Sequence, residues 1–290
     1  MDDTLNDQPD PTVHGALKWA AAQLQHLPNP DLESELMLEF VAGEERLWLV
    51  TNLDHILDKS QADRYITIVN ERAGGQPLSY ITGQKEFYGR SFKTTPEALI
   101  PRPESEVLIN QIKTIVQRKA NPKILDVGTG SGCLAVTLAC ELPAAQLKAT
   151  DISPEALKVA RANAEQHKVA DRILFLEQNL LLDETDHYDV IVTNLPYVED
   201  HWLAASPQAK ELAAEPRLAL SGGETGLELI EEFLRQFALK RSAPVVLLEH
   251  GDEQEQILVP FAKKLLPEAH IRSVQDQFGV NRVISISINE

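Results

Sequence analysis

The chain has 290 residues, 43% of them apolar and 24% charged, the balance of a water-soluble globular protein with material for one large or two modest domains. No apolar run approaches the roughly 18 residues that cross a bilayer, and the start, Met1-Asp2-Asp3, is acidic where a secretory leader is basic; a cytoplasmic protein with no membrane contact is expected. The formal net charge of −17 works against partners built on a phosphate backbone, which reward basic patches, so no direct nucleic-acid contact is expected either.

In chain order, residues 12–75 read as helices. Leu17, Ala20, Ala21 and Leu24 recur at three- and four-residue steps. Asn29-Pro30-Asp31 breaks the pattern, and further helices are predicted over 32–41 and 61–72. This gives a small helical domain over residues 1–75. Gly74-Gly75-Gln76-Pro77 is a turn. The stretch after it holds Tyr80, Phe87, Tyr88 and Phe92, punctuated by Gly83 and Gly89, and reads as an extended hairpin linker over 76–98. From Lys123 strands alternate with helices. Strands are predicted at 123–127, 146–150, 172–176, 188–193, 244–249, 270–274 and 282–288, and helices at 154–167 and 226–237 among others. Residues 99–290 are therefore an α/β domain with a mostly parallel sheet covered on both faces. The last two strands are joined only by Asp276-Gln277-Phe278-Gly279, too short for a parallel crossover, so they form an antiparallel hairpin.

Two stretches carry chemistry. The first is Gly128-Thr129-Gly130-Ser131-Gly132, between the strand ending at Asp126-Val127 and a helix starting at Cys133. Alternating glycines let a ligand approach the backbone closely, and the first N–H groups of a helix are free to bind it. Asp151 closes the next strand, where a carboxylate accepts hydrogen bonds from ribose hydroxyls. The spacing is GxGxG rather than the dinucleotide GxGxxG, and the tighter turn suits an amino-acid tail better than a pyrophosphate. Asp126-Val127-Gly128-Thr129-Gly130-Ser131-Gly132 resembles motif I of class I methyltransferases, which implies S-adenosyl-L-methionine as the ligand, with Asp126, Gly128, Thr129, Gly130, Ser131, Gly132, Asp151 and Ile152 as its contacts. Cys133 and Cys140 share one helix about 10 Å apart, too far for a disulfide, and read as two small buried residues rather than nucleophiles. The histidines are scattered, with no HExxH or CxxC, and no metal site is expected.

The second stretch is Asn194-Leu195-Pro196-Tyr197, just past the strand at 188–193. Ligands of open α/β sheets bind at that end of the strands. Such tetrapeptides mark methyltransferases acting on planar amino groups, whose nitrogen lone pair is delocalised. The Asn194 side-chain oxygen and the Leu195 carbonyl can grip the two N–H groups of the acceptor, turning its lone pair toward the methyl group, while Tyr197 stacks on the flat acceptor. Positioning then supplies much of the rate. The expected catalytic group is Asn194, Leu195, Pro196 and Tyr197.

Several further runs resemble the PrmC/HemK family of protein-glutamine N5-methyltransferases over nearly the whole chain. Glu33-Ser34-Glu35-Leu36-Met37-Leu38 is similar to its helical-domain signature and PLSYITGQKEFYGRSF, from Pro77 to Phe92, to its hairpin. Ile100-Pro101-Arg102-Pro103-Glu104-Ser105-Glu106 matches its IPRPETE, and Leu248-Glu249-His250-Gly251 with Asp276, Gly279 and Arg282 extends the match. The resemblance implies a seven-stranded class I methyltransferase fold preceded by a helical substrate-docking domain. It implies methylation of the glutamine in the Gly-Gly-Gln motif of a class I peptide chain release factor, by a monomer. It adds Arg102, Asn179, Leu180 and Asn194 to the cofactor contacts. Arg102 and Glu104 are expected to order the loop around the cofactor and the acceptor entrance. Two departures stand out. Leu195 replaces the family's proline and forgoes its fixed φ, so a less preorganised loop is expected. Asn179 replaces an aspartate and keeps an acceptor oxygen without the charge. The alternatives are an adenine-N6 nucleic-acid methyltransferase, for which Asn-Leu-Pro-Tyr is also found, a ribosomal-protein glutamine methyltransferase, and a non-catalytic scaffold.

Overall fold

The computed structural model describes residues 10–206 and 209–288; the acidic start Met1-Asp2-Asp3 lies outside them. The chain divides between Gly83 and Gln84 into two compact units.

The first unit holds α1 (Val13–Gln23), α2 (Pro30–Ala42), α3 (Arg46–Thr51), α4 (Lys59–Ala73) and α5 (Leu78–Thr82). Local chemistry sets their ends. Thr12 accepts from Gly15 N at the start of α1, Pro30 opens α2, and Gly43, with φ +72°, closes it. Asp58 and Gln61 form a reciprocal capping box on α4. Ala16, Ala20 and Leu24 pack with Met37, Leu38, Tyr65 and Val69. The Glu33-Ser34 pair explains part of the family signature: the Tyr65 hydroxyl donates to Ser34 O at 2.9 Å, and buried Arg72 grips Glu33 through bonds of 2.8 and 3.0 Å. Glu33 is only half-buried, so losing it would leave the Arg72 charge largely buried and short of its carboxylate partner.

Two helices here were not foreseen. The six residues of α3 are too few to show a helical period. Tyr80, read as part of an extended stretch, lies on α5, because Pro77 (φ −58°) starts a single turn and Gly83 (φ +72°) ends it, while Leu78 and Ile81 pack on the helical core.

The second unit opens with the hairpin β1 (Gln84–Phe87) and β2 (Arg90–Lys93), paired antiparallel. Its two turn residues, Tyr88 and Gly89, both have positive φ, the two-residue turn that fits strand twist. After α6 (Glu106–Val116) the chain alternates: β3 (Lys123–Val127), α7 (Cys133–Glu141), β4 (Gln146–Asp151), α8 (Pro154–Gln166), β5 (Ile173–Glu177), β6 (Val190–Thr193). An irregular excursion follows, with β7 (Val198–Glu199), α9 (Asp200–Ala205), α10 (Ala209–Leu212), α11 (Arg217–Leu220) and β8 (Ser221–Gly223), the two short strands pairing in parallel. Then come α12 (Glu228–Lys240), β9 (Val245–Glu249), α13 (Glu255–Leu265), β10 (His270–Gln275) and β11 (Asn281–Ser287).

Seven strands form one sheet in the order β10-β11-β9-β6-β3-β4-β5. The five strands from β9 to β5 are parallel, and β11 runs antiparallel to both β9 and β10, as the short 276–279 connection requires. There Asp276 Oδ1 accepts from Phe278 N and Val280 N. The central strands are apolar on both faces because both are covered. Leu108 and Ile112 of α6 and Leu138 of α7 belong to one core, and Phe233 and Phe237 of α12 with Leu258 of α13 to the other. From β3 the chain proceeds outward to β4 and β5, then returns to the other side for β6. The strand order therefore switches beside β3, and a crevice opens at the carboxyl ends of β3 and β6. No helix among the described residues is long and apolar enough to cross a membrane.

Candidate active site

The turn after β3 is built almost entirely of backbone. Gly128, Gly130 and Gly132 have φ of +73°, +54° and +79°, the left-handed region that costs other residues about 1–2 kcal/mol. Gly128 N and Thr129 N both donate to Thr150 O, at 2.8 and 2.9 Å. Thr129 Oγ1 donates to Asp126 Oδ2 at 2.7 Å. A Cβ on Gly130 would meet nothing within 4 Å, so its backbone faces open space. Asp151 Oδ2 accepts from Gly130 N at 2.8 Å and Oδ1 from Ser153 N at 2.9 Å; each oxygen keeps a further lone pair.

These residues line an open cleft. Gly128, Thr129, Gly130 and Ser131 form one wall. Asp151 and Ile152 come from the end of β4, and Asn179 and Leu180 from the loop after β5. Asn194, Leu195 and Pro196 come from the end of β6, and Arg102 from the segment before α6. Gly132 and Asp126 stand behind the wall. Gly132 approaches α8 so closely that a Cβ would lie 2.9 Å from Ala160 Cβ. Asp126 is fully buried, and its Oδ1 has no partner among the described residues. Burial raises its carboxyl to about 7, the Thr129 bond opposing and the Asp151 charge adding.

The segment after β6 adjoins this wall. The Leu195 side chain is buried, and its Cδ2 lies 3.2 Å from where a Gly128 Cβ would be; Asn194 O is at 3.9 Å from the same point. The leucine that forgoes proline's stiffness is thus held by packing on the glycine turn. Pro196 O and Tyr197 O pass over β8 and its exit with no room for side chains: a Cβ on Gly222 would sit 2.7 Å from Pro196 O, and one on Gly226 2.5 Å from Tyr197 O. Gln254 donates from Nε2 to Tyr197 O at 2.9 Å while its Oε1 accepts from Gly251 N at 2.8 Å. Tyr197 lines a second pocket next to the first, with Trp202 and Leu212.

Sequence reading assigned no role to several residues that hold this site, although Ser105, Glu106 and Glu249 lie in the family-like runs 100–106 and 248–251. Buried Glu215 accepts from Ile100 N at 3.1 Å and pairs with Arg102, joining Arg102 to the loop that lines the cleft. Glu106 accepts from Tyr88 N at 2.8 Å, tying the hairpin to α6. Buried Asn163 bonds Lys93 N and O and Ser131 O, tying the hairpin to the glycine turn. Ser105 and Glu249 bond each other beneath Asn194. A buried polar residue in an apolar helix face, as Asn163 in α8, is the signal that could have found one of them. Cys133 and Cys140 are free and half-buried rather than fully buried.

The sheet order, the glycine turn at the switch point and the cleft across β3 and β6 define a class I methyltransferase domain. Residues 103–227 match the family described as "Methyltransferase small domain", and residues 15–83 the one described as "PrmC N-terminal domain". Among curated relatives, the release factor glutamine methyltransferase of Koribacter versatilis (strain Ellin345) is 40% identical over 73% of this chain and 78% of its own. That of Bacillus anthracis is 32% identical over 95% and 99%. Among solved structures, the catalytic domain of hMettl16 in complex with MAT2A 3′UTR hairpin 1 superposes with a TM-score of 0.59 at 17% identity, over 87% of this chain and 91% of that one, a likeness of fold. The chain belongs to the release factor glutamine methyltransferase family.

Proposed function

We propose that the protein transfers a methyl group from S-adenosyl-L-methionine to the side-chain amide nitrogen, N5, of the glutamine in the Gly-Gly-Gln motif of a class I peptide chain release factor. The observation that carries this reading is the contact between the glycine turn and the acceptor segment, with Leu195 packed at 3.2 Å from the Cβ position of Gly128 and the Asn194 carbonyl at 3.9 Å.

The cleft suits the cofactor chemically. It offers open backbone at Gly130 and a carboxylate at Asp151 whose oxygens retain acceptor capacity. Ile152 and Leu180 give apolar surface for a flat base, and Asn179 an amide for its edge. Asp126 sets a carboxylate beneath the turn, favouring a cationic ligand. Bound there, S-adenosyl-L-methionine supplies an electrophilic methyl group on a sulfonium.

The protein's own residues do the rest. Asn194 Oδ1 and the Leu195 carbonyl accept the two N–H bonds of the glutamine amide. As nitrogen gains positive character its N–H groups become stronger donors, so both bonds tighten in the transition state. After transfer the nitrogen loses one proton to solvent, leaving the N-methyl amide. Tyr197 and Trp202 give the acceptor pocket flat apolar walls. The N-terminal helical unit, which exposes Leu47, Val50 and Ile56, serves as the docking surface for the release factor. The enzyme works as a monomer in the cytoplasm, where release factors act, and its charge of −17 disfavours a nucleic-acid acceptor.

The test is incubation with tritiated cofactor and, separately, a release factor, ribosomal RNA and ribosomal proteins. Label is expected in the release factor. Label in RNA alone would support the adenine-N6 alternative, and label in ribosomal protein alone the other glutamine branch.

A further inference from the structure

Asparagine is a reversible grip. Its carboxamide has nearly the same shape either way round, yet one end accepts and the other donates. An acceptor NH₂ is held by the oxygen and repelled by the nitrogen. Something must therefore decide which end of Asn194 faces the cleft.

Two buried groups in a row do so. Glu249 ends β9, the neighbour of β6, with Thr193 in register with Leu248. Its side chain is buried, as is Ser105 at the turn before α6. Ser105 Oγ donates to Glu249 Oε2 at 2.6 Å and accepts from Asn194 Nδ2 at 3.1 Å. An ionised carboxylate can only accept. The serine hydroxyl has one proton and spends it on Glu249, so it meets Asn194 as an acceptor. Asn194 must then turn its NH₂ inward, and Oδ1 is left for the cleft.

We propose that Glu249 and Ser105 are positioning residues, a hydrogen-bond relay whose polarity fixes the Asn194 carboxamide with its oxygen toward the substrate amide. The proposal rests on the reading of Asn194 as the acceptor grip. It also makes the grip sensitive to proton uptake. A protonated Glu249 can donate to Ser105, whose hydroxyl can then donate to Asn194 and admit the reversed carboxamide. Burial pushes Glu249 up to about 7. The groups facing it are the Ser105 hydroxyl and the Glu104 carboxylate from the turn before α6, Arg282 from β11, Asn194 and Tyr197 after β6, and Cys133 at the start of α7. The Ser105 bond, Arg282 and Asn194 pull its value down, and Glu104 pushes it up. Arg282 is itself shared with Asp252 at 2.8 Å and Asp276 at 3.4 Å.

The test compares kcat at saturating cofactor for wild type, Ser105→Ala, Ser105→Thr, Glu249→Gln and Asn194→Ala, with cofactor Kd measured separately by calorimetry. Ser105→Ala is expected to lower kcat about tenfold or more, the scale of losing an orienting partner, with Kd within about twofold. Ser105→Thr, which keeps the hydroxyl, is expected to restore kcat. Wild-type kcat is expected to fall on the acid side of about pH 7, and Glu249→Gln to lower kcat at pH 8 and lose that limb. Wild-type kcat in Ser105→Ala, or an unaltered acid limb in Glu249→Gln, would overturn the relay. Should Ser105→Ala fail to fold, the Glu249→Gln profile decides alone. An inactive Asn194→Ala beside a fully active Ser105→Ala removes the relay and keeps the grip; a fully active Asn194→Ala removes the grip itself.

Discussion

The turn after β3 and the segment after β6 face the same cleft but are held in opposite ways. The glycine turn is held mostly by its neighbours. Most of its hydrogen bonds come from residues 126–132 and from Thr150 and Asp151 at the end of the next strand, with Asn163 of α8 adding one to Ser131 O. The Asn194-Leu195-Pro196-Tyr197 segment is held by groups scattered from Ser105 to Gln254, including Glu249 and the bare backbones of Gly222 and Gly226. Binding a cofactor needs N–H groups and space, which a local run supplies. Aligning a weak nucleophile needs one orientation of one carboxamide, which takes packing from several directions.

That contrast predicts which measurements separate. The largest effect is expected from Asn194→Ala: kcat falls about 100- to 1000-fold, the scale of losing a transition-state hydrogen bond in a dry site, while calorimetric cofactor Kd, to which Asn194 contributes one wall contact, rises by no more than about fivefold. A Kd that moved with kcat would break the contrast. Asp151→Ala should do the reverse, weakening cofactor binding about 10- to 100-fold through lost charge-assisted bonds and leaving kcat at saturation within about threefold.

Gly226→Ala comes next. Its Cβ would press to 2.5 Å on Tyr197 O at a φ of +75°, so urea unfolding should report about 1–3 kcal/mol of lost stability, with kcat reduced and Kd little changed. The smallest effect is titration of Asp126. Its folded carboxyl lies near 7, raised from the 3.8 of an exposed aspartate. A cation prefers the ionised form, so cofactor Kd should rise as pH falls through about 7, by at most about tenfold per unit. Because the folded value is raised, this group favours the folded apoenzyme fully below 3.8 and loses that contribution as pH rises through about 7. Apoenzyme melting temperature should therefore decline from pH 5 to 8, with buried Glu249 adding to the decline, and Asp126→Asn should flatten the Kd trend and lessen that in melting temperature.

The same contrast explains what the sequence disclosed. Strands of the central sheet were readable to within a residue or two because β-branched and apolar residues run or alternate between turns, as in KILDV, VIVT and NRVISIS. The glycine turn was readable because its function is local. Asn194 and Tyr197 stood out as chemistry after a strand. The roles of Glu215, Asn163, Gln254, Ser105 and Glu249 did not, although Ser105 and Glu249 lie in the family-like runs 100–106 and 248–251, since each acts across dozens of residues and nothing local marks the partner. The α5 turn was hidden because aromatic residues in a short span between Pro77 and Gly83 suit a strand as well as a helix, and only packing of Leu78 and Ile81 decides.

Whether the acceptor is a glutamine side-chain amide gripped by Asn194 is decided by fragmentation mass spectrometry of a release factor after incubation with enzyme and cofactor. A single added methyl is expected on the Gly-Gly-Gln glutamine side chain, present with wild type and all but absent with Asn194→Ala. A methyl on another residue, or equal modification by the variant, would contradict it.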